Sequence, residues 1–254
     1  MISAGIVGGA GYTAGELLRI LLRHPEVHLD FVFSTSQAGK SVSSIHQDLL
    51  GETDLHFSGS LNREVDVLFL CLGHGNSEKF LNEHAFSETT RIIDLSTDFR
   101  ESRPEHAFVY GLPEINRAEI QQAQFLANPG CFATAINLAI LPLASKGMLE
   151  DEVHVNGVTG STGAGTSLSG TTHFSWRDNN FSAYKAFEHQ HIKEITENVK
   201  QLQTGFSSDI NFIPNRGNFS RGIHVTSYTS FQGSLETARE LYESFYADAA
   251  FTFG

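Results

Sequence analysis

Basic residues and long apolar runs are both scarce in this sequence. Its 17 lysines and arginines stand against 29 aspartates and glutamates, which gives a formal net charge of −12 with neutral histidines. This acidic balance argues against nucleic acid as the main partner, although a local basic patch can still bind a small anion. No apolar run approaches the roughly 20 residues that span a bilayer, and the first residues do not resemble a signal peptide. The sequence therefore predicts a protein that binds neither nucleic acid nor membrane.

Cysteine is also rare, since Cys71 and Cys131 are the only two. Two cysteines cannot form a disulfide framework, and their scarcity is typical of a reducing compartment. We therefore expect a cytoplasmic protein. The chain of 254 residues is 40% hydrophobic and 11% aromatic, which is enough for a substantial core in one large domain or two ordinary ones.

The first half alternates apolar runs with helical periodicities. Leucines recur at helical spacing over residues 17–22, and a second helix is predicted at Asn76–Ala85. The predicted strands are Ile2–Val7, Leu29–Phe33, Val65–Leu72 and Arg91–Leu95. This alternation is typical of βαβ units and predicts an α/β fold with a parallel sheet.

The second half groups strands with helices. A turn at Asn128–Gly130 precedes a predicted buried helix over Cys131–Ala144. Beyond it the sequence predicts strands at Val153–Val158, Ile210–Ile213 and Ile223–Phe231, and helices near Glu188–Leu202 and at Leu235–Tyr246. This grouping is typical of an α+β domain. We expect one domain over residues 1–130 and a second over residues 131–254.

A glycine-rich segment joins the first strand to the first helix. Its pattern is Gly8-x-x-Gly11-x-x-Ala14, in which glycine lets the backbone approach a pyrophosphate and a small third residue lets the helix pack closely on the strand. Tyr12 and Thr13 lie inside the pattern, where a helix N-terminus supplies N–H groups to phosphate. An ordinary strand–turn–helix connection is the alternative. Because the segment lies within a βαβ pattern, it favours a Rossmann-type dinucleotide-binding domain.

The end of the second predicted strand indicates which dinucleotide binds. An NAD site usually has an acidic residue about 20 residues beyond the loop, where it binds the ribose 2′-hydroxyl. Here the segment from Ser34 to Lys40 contains no carboxylate, whereas Ser34, Ser36 and Lys40 can receive a 2′-phosphate. The alternative is a solvated turn. The pattern favours NADP(H).

The two cysteines have contrasting surroundings. Cys131 follows Pro129 and Gly130 at the start of a predicted helix, where the helix dipole and nearby N–H groups favour the nucleophilic thiolate. Cys71 lies in the apolar strand predicted at Val65–Leu72, as a small buried residue. We therefore predict Cys131 as a catalytic nucleophile and assign no catalysis to Cys71.

Two histidines and a glutamate provide a candidate proton partner. His191 and Glu194 are three residues apart and share a helical face, so Glu194 can orient His191 as a general acid/base. His189 lies about 200° around an ideal helix from His191, so both reach one site only if the helix begins between them. Surface histidines are the alternative, and a zinc site lacks a convincing third ligand, so no metal is predicted.

Eight segments in order along the chain resemble the N-acetyl-γ-glutamyl-phosphate reductase family of arginine biosynthesis, which is related to aspartate-semialdehyde dehydrogenase. The glycine loop is unspecific by itself, but NPGC followed by a Gly/Ser-rich loop and HxHxxEI is specific. The segments are Gly8–Leu18 (GGAGYTAGELL), Ser36–Val42 (SQAGKSV), Leu72–Asn76 (LGHGN), Ile93–Arg100 (IDLSTDFR), Tyr110–Glu114 (YGLPE), Asn128–Thr134 (NPGCFAT), Gly160–Gly165 (GSTGAG) and His189–Ile195 (HQHIKEI).

The resemblance implies an NADP-dependent enzyme that reduces an acyl phosphate to an aldehyde through a thioester on Cys131. It implies an α+β domain for catalysis and dimerisation, a homo-oligomer (dimer or tetramer), and cofactor contacts from Gly73 and Gly163. An anionic substrate needs cations, for which the candidates are Arg100, Lys185, Arg216 and Arg221. Ala14 replaces the third glycine of the loop. Family members usually continue for some tens of residues, so a C-terminal return segment is expected to be missing here.

Three other functions remain open from the sequence. Aspartate-semialdehyde dehydrogenase or an aminoadipyl-phosphate reductase would share the thiolate and differ in the substrate pocket. A Cys–His hydrolase would use the thiol without a nucleotide, which the Gly8 loop disfavours. A nucleotide-sensing module would need neither Cys131 nor His191.

Overall fold

The protein is described here by a computed structural model that covers residues 1–254. Its internal contacts divide the chain into two compact units. Residues 1–111 and 116–129 form the first unit, and residues 112–115 and 130–254 form the second. No helix has both the length and the apolar character that crossing a bilayer requires.

The first unit is built on a seven-stranded sheet in which every pair of neighbours is parallel, in the order β3-β2-β1-β4-β5-β7-β6. The strands are β1 (Ile2–Val7), β2 (Val27–Phe33), β3 (Phe57–Ser58), β4 (Val67–Leu70), β5 (Arg91–Asp94), β6 (Val109–Tyr110) and β7 (Phe125–Ala127). The helices are α1 (Tyr12–Leu21), α2 (Ser77–Glu83) and α3 (Pro113–Gln122). Helix α3 is interrupted at Asn116, and only its residues from Asn116 onward belong to the first unit.

Both faces of the parallel sheet are covered. Ile6 and Val7 are adjacent in β1 but lie in different buried clusters, the first with Leu18 of α1 and the second with Phe80 of α2. Because successive residues of a strand point to opposite faces, α1 and α2 lie on opposite sides of the sheet. Burial on both faces explains why the strands read as continuous apolar runs.

The second unit has a mixed four-stranded sheet in the order β11-β8-β10-β9. The central pair β8–β10 is parallel, and the two outer pairings are antiparallel. Its strands are β8 (Val153–Thr159), β9 (Ser182–Ala183), β10 (Ile210–Arg216) and β11 (Ile223–Tyr228), and its helices are α4 (Cys131–Ala144), α5 (Phe174–Arg177), α6 (His191–Leu202) and α7 (Leu235–Tyr246).

Helices α4 and α6 pack together against this sheet. Phe132 of α4 meets Phe212 of β10 edge-on, with ring centroids 5.0 Å apart. A Cβ at Gly157 of β8 would lie only 2.5 Å from the Phe132 ring. Glycine at this position therefore lets the helix that begins at Cys131 lie close to the sheet.

Helix α7 is hydrogen-bonded to α4 at the turn where Pro142 removes one backbone hydrogen bond of α4. Pro142 has no N–H to donate to the carbonyl of Leu138. The hydroxyl of Tyr246 donates to that carbonyl instead, and the hydroxyl of Tyr242 donates to the carbonyl of Ala139. Two tyrosines of α7 therefore bond the interrupted turn of α4.

Several predicted boundaries differ from the observed ones. Strand β4 ends at Leu70, so Cys71 lies just beyond the strand and not inside it. Strand β10 runs on to Arg216 because it keeps its parallel register with β8 as far as Thr159. Strand β11 ends at Tyr228, which pairs with His154, the second residue of β8. The predicted helix at Asn76–Ala85 is the shorter α2.

Candidate active site

The predicted nucleotide loop lies between β1 and α1 in the first unit. Gly8 has φ 83°, and a Cβ there would lie 2.5 Å from the carbonyl oxygen of Cys71. Helix α1 has Gly11 as its N-cap and no side-chain cap. The first N–H groups of a helix have no internal acceptor, so those of Tyr12, Thr13 and Ala14 are suited to bind phosphate. The Ala14 side chain is fully buried, as close packing of helix on sheet requires.

The three residues predicted to receive a 2′-phosphate follow β2 directly. Ser36 and Lys40 are exposed, whereas Ser34 is buried. The Lys40 Nζ atom donates to Oε1 of Gln37 at 2.9 Å. The cation is therefore held next to the turn that the sequence assigned to the adenosine end of the cofactor.

Gly73 and Arg100 complete the predicted residues of the first unit. Gly73 is exposed beyond β4, and its carbonyl accepts a hydrogen bond from the side chain of Asn76. Arg100 is buried, with Nε donating to the carbonyl of Asn128 at 2.9 Å and Nη2 to that of Leu95 at 3.0 Å. Arg100 thus fixes the backbone at Leu95 and Asn128 through its side chain, a role that the sequence did not predict.

Cys131 is the first residue of α4 and its thiol is exposed. Gly130 is the N-cap, and its N–H donates to Oε2 of Glu194 at 3.1 Å. The thiol therefore lies at the positive end of a helix dipole, with a carboxylate fixed beside the preceding residue. At Cys71, by contrast, burial raises the pKa of the thiol to about 12, with a smaller contribution from the charge of Asp94.

The two histidines meet because α6 begins between them, at His191. The backbone N–H of His191 donates to Nδ1 of His189 at 3.2 Å, and the two rings lie 4.5 Å apart between centroids. A ring nitrogen that accepts a hydrogen bond carries no proton, so the neutral His189 ring has its proton on Nε2. The His189 side chain therefore accepts a hydrogen bond at the start of α6. The helix predicted to begin near Glu188 begins instead at His191.

The environments of the two histidines differ. Burial lowers the pKa of His189 to about 4, with a smaller contribution from the charge of Lys185. His189 is therefore neutral near pH 7. The Nε2 atom of His191 lies 3.7 Å from Oε1 of Glu194, and both side chains are buried. At this distance the Glu194 carboxyl group can orient the His191 ring.

Two cationic side chains, Lys185 and Arg216, lie near the histidine pair in the second unit. Lys185 has φ 44°, and its Nζ atom donates to Oε1 of Gln190 at 3.3 Å. The guanidinium carbon of Arg216 lies 3.9 Å from the ring centroid of Tyr184, whose ring is 5.8 Å from that of His189. The structure thus brings Lys185 and Arg216 close to the histidine pair.

The remaining predicted residues of the second unit lie in two connecting segments. Gly163 is part of the short 3-10 turn Ser161–Ala164 after β8. Arg221 is exposed in the connection between β10 and β11. Its backbone nitrogen would be 2.8 Å from a Cβ at Gly160, so the two segments approach closely there.

Sequence reasoning missed Tyr184 and Arg177. The Arg216 guanidinium lies over the face of the Tyr184 ring, and the Tyr184 and His189 rings meet edge-on. Arg177 ends α5, and its Nη2 atom donates to the carbonyl of Gly217 at 2.7 Å. Neither residue belongs to a recognisable motif, and contacts between chain-distant segments place them here.

Two family models match the chain, one for each unit. The semialdehyde dehydrogenase NAD-binding domain matches residues 3–123, and the semialdehyde dehydrogenase dimerisation domain matches residues 131–253. The predicted fold class is confirmed, with a parallel nucleotide-binding sheet and a mixed-sheet dimerisation domain. The chain is therefore an NAD(P)-binding reductase of the semialdehyde dehydrogenase class.

Curated proteins named N-acetyl-gamma-glutamyl-phosphate reductase are similar to this chain over its whole length. The protein from Christiangramia forsetii is 69% identical over 253 residues, covering 100% of this chain and 79% of that protein. Those from Flavobacterium johnsoniae and Parabacteroides distasonis are 57% and 54% identical, covering 99% and 100% of this chain and 78% and 79% of those proteins. The chain belongs to the N-acetyl-gamma-glutamyl-phosphate reductase family.

Solved structures of aspartate-semialdehyde dehydrogenases share its fold. Enzyme II from Vibrio cholerae, complexed with ASA, has a TM-score of 0.70 at 16% identity and covers 95% of this chain and 78% of its own. The Candida albicans enzyme with NADP has a TM-score of 0.66 at 15% identity, covering 95% of this chain and 75% of its own. At these identities the similarity concerns the fold alone.

Proposed function

We propose that the chain catalyses the NADPH-dependent reduction of an N-acyl-γ-glutamyl phosphate to its semialdehyde, with release of phosphate, in arginine biosynthesis. The relatives in its family carry the name of that reductase. The structural observation that supports it is the exposed Cys131 thiol at the start of α4, with Glu194 joining Gly130 to His191. A cytoplasmic location would keep this thiol reduced.

In the first stage Cys131 forms a thioester. Its thiolate sulfur attacks the acyl carbon and forms a C–S bond, and the C–O bond to phosphate breaks so that phosphate leaves with the electron pair. The backbone N–H groups of the first turn of α4 stabilise the negative charge that develops on the carbonyl oxygen. A covalent intermediate divides one difficult step into two easier ones.

In the second stage the thioester is reduced and the thiol is recovered. When bound, NADPH supplies the hydride that reduces the thioester carbon. As the C–S bond breaks, His191 donates a proton to the departing sulfur, and Glu194 stabilises the charged imidazole beforehand. His189 has its proton on Nε2, so it donates a hydrogen bond to the substrate and keeps that proton.

The residues of the first unit fit a dinucleotide phosphate. Gly8 has φ 83° and lies against the Cys71 carbonyl, with which a side chain would collide, so glycine permits the tight turn that leads into α1. The N–H groups at the start of α1 would hold the pyrophosphate. Ser34, Ser36 and Lys40 would hold the 2′-phosphate of NADP(H).

The reverse reaction tests the function. We expect N-acetylglutamate semialdehyde, phosphate and NADP⁺ to give NADPH, whose formation is measured by its absorbance. The rate should depend on the phosphate concentration. Aspartate semialdehyde is the control substrate and should support little turnover. Faster turnover with the aspartate compound, or a rate independent of phosphate, would contradict the proposed function.

A titration of the protein with each cofactor checks the cofactor assignment. We expect a lower dissociation constant for NADP⁺ than for NAD⁺, and Lys40→Gln should weaken NADP⁺ binding by about tenfold, as loss of one charge-assisted hydrogen bond does. NAD⁺ binding should stay unchanged because it has no 2′-phosphate. Lys79→Gln, an exposed lysine on α2, is the matched control. Equal affinity of the wild type for both cofactors would exclude the NADP assignment.

We also propose that the protein forms a dimer or tetramer through the second face of the mixed sheet. Asn156 of β8 and Thr226 of β11 are paired in register and both are exposed, as are His224 and Tyr228 along the same strand. The opposite face packs against α4 and α6. Light scattering should give at least twice the chain mass of 27.9 kDa, and Thr226→Lys should lower it. A monomeric mass for the wild type would contradict this assembly.

A further inference from the structure

Arg177 and Arg216 form an unusual pair of neighbouring cations in the second unit. Arg177 ends α5 and donates from Nη2 to the carbonyl of Gly217, the residue that follows Arg216. The Arg216 guanidinium carbon lies 3.9 Å from the ring centroid of Tyr184 and 6.0 Å from that of Trp176. Neither arginine forms an ion pair with a carboxylate of the chain.

Placing these two charges together is unfavourable without an anion. Burial lowers the pKa of Arg177, and the charge of Arg216 lowers it further. The chain has 29 acidic residues, so the missing carboxylate does not reflect a shortage of acids. An aromatic ring and a backbone carbonyl position the two guanidinium groups, which leaves donors for an external oxyanion.

The pair also lies next to the proposed catalytic residues. Burial raises the pKa of Tyr184, and the charge of Cys131 raises it further, so the tyrosine and the thiol interact electrostatically. The Tyr184 ring is 5.8 Å from that of His189. The Tyr184 ring therefore contacts both the Arg216 guanidinium and the His189 ring.

We propose that Arg177 and Arg216 bind one oxyanion of the substrate, either its α-carboxylate or its phosphate, and that Tyr184 positions Arg216 for this contact. The proposal rests on the proposed function and adds a binding site to it. Guanidinium groups match carboxylate and phosphate oxygens with two parallel hydrogen bonds. The substrate carries both a carboxylate and a phosphate. In the reverse reaction these two groups belong to two different substrates.

The reverse reaction distinguishes the two oxyanions because the semialdehyde carries the carboxylate and phosphate is a separate substrate. In Arg177→Gln and Arg216→Gln we expect the KM of one of these substrates to rise by roughly tenfold to a hundredfold, the effect of losing hydrogen bonds to a charged group. The KM for NADP⁺ should stay within about twofold. A raised semialdehyde KM identifies the carboxylate, and a raised phosphate KM identifies the phosphate.

Further variants separate a binding role from a structural one. Arg216→Lys should recover part of the lost affinity, Tyr184→Phe should keep the wild-type KM, and Tyr184→Leu should behave like Arg216→Gln because it removes the ring. The melting temperature and the KM for NADP⁺ should match the wild type in every arginine variant, which reports an intact fold. Arg239→Gln, an exposed arginine on α7, is the matched control.

The failure of this proposal can be told apart from failure of the function. If the wild type shows no phosphate-dependent reduction of NADP⁺, the proposed function is wrong. If the wild type is active and neither KM rises in Arg177→Gln and Arg216→Gln, or if the KM values for both substrates and NADP⁺ rise together, the arginine pair is not an oxyanion site.

Discussion

We expect the Cys131→Ser variant to lose reduction by more than about a thousandfold, the scale on which removal of a catalytic nucleophile acts. The serine hydroxyl is a much weaker nucleophile at neutral pH than a thiolate at a helix N-terminus. NADPH binding should remain nearly intact, because the residues proposed to hold its pyrophosphate and 2′-phosphate belong to the first unit. Steady-state rates and cofactor titration measure the two effects separately.

Cys71→Ser is the matched control for that experiment. Cys71 is partly buried beyond β4, and burial raises the pKa of its thiol to about 12. Its substitution should leave the chemistry largely unchanged. A different mechanism would be required if Cys131→Ser retained substantial turnover and the wild type formed no thioester.

The second large effect is expected at His191. His191→Asn should lower turnover by roughly 10²–10⁴, the usual range for losing general acid/base catalysis. The pH–rate profile of this variant should also lose an ionisation in the neutral range, where imidazole titrates. His189→Asn should act mainly on substrate affinity and keep that ionisation. The two roles are exchanged if His189→Asn removes the ionisation and His191→Asn retains it.

The stability of the His189→Asn variant provides an independent check. The folded-state pKa of His189, about 4, lies below its ordinary value of 6.5, so between these values the unfolded chain binds more protons. The free energy of unfolding should therefore decrease as the pH falls from about 6.5 to about 4. His189→Asn should weaken this dependence, measured by urea unfolding, whereas His28→Asn, at an exposed position of β2, should retain it.

Local signals predicted one helix of the site well and the other less well. The Pro-Gly turn before Cys131 and the apolar run after it predict α4 with the bounds that the structure shows. The start of α6 depends on a side-chain acceptor at His189 and on positive φ angles at Lys185 and Phe187. The N–H of Phe187 donates to the carbonyl of Phe212 on β10, a contact that no local pattern encodes.

The other omissions have the same physical origin. Strands β3, β6 and β9 are two residues long, too short for a period of two to be visible. Arg177 ends α5, Tyr184 follows β9 and Arg216 ends β10. The pairing of β9 with β10 brings Tyr184 and Arg216 together, and a hydrogen bond to the Gly217 carbonyl brings Arg177 to them. Arg100 was predicted from charge alone, and charge does not reveal that two backbone carbonyls accept its donors.

The bonding of α7 to α4 has a consequence for the order of folding during synthesis. The carbonyl of Leu138 receives its hydrogen bond from Tyr246, a residue 108 positions later in the chain. An emerging polypeptide that has formed α4 without α7 contains an acceptor whose burial, unsatisfied, costs about 1–3 kcal/mol. The helix that begins with Cys131 is therefore fully bonded only after nearly the whole second unit has been made.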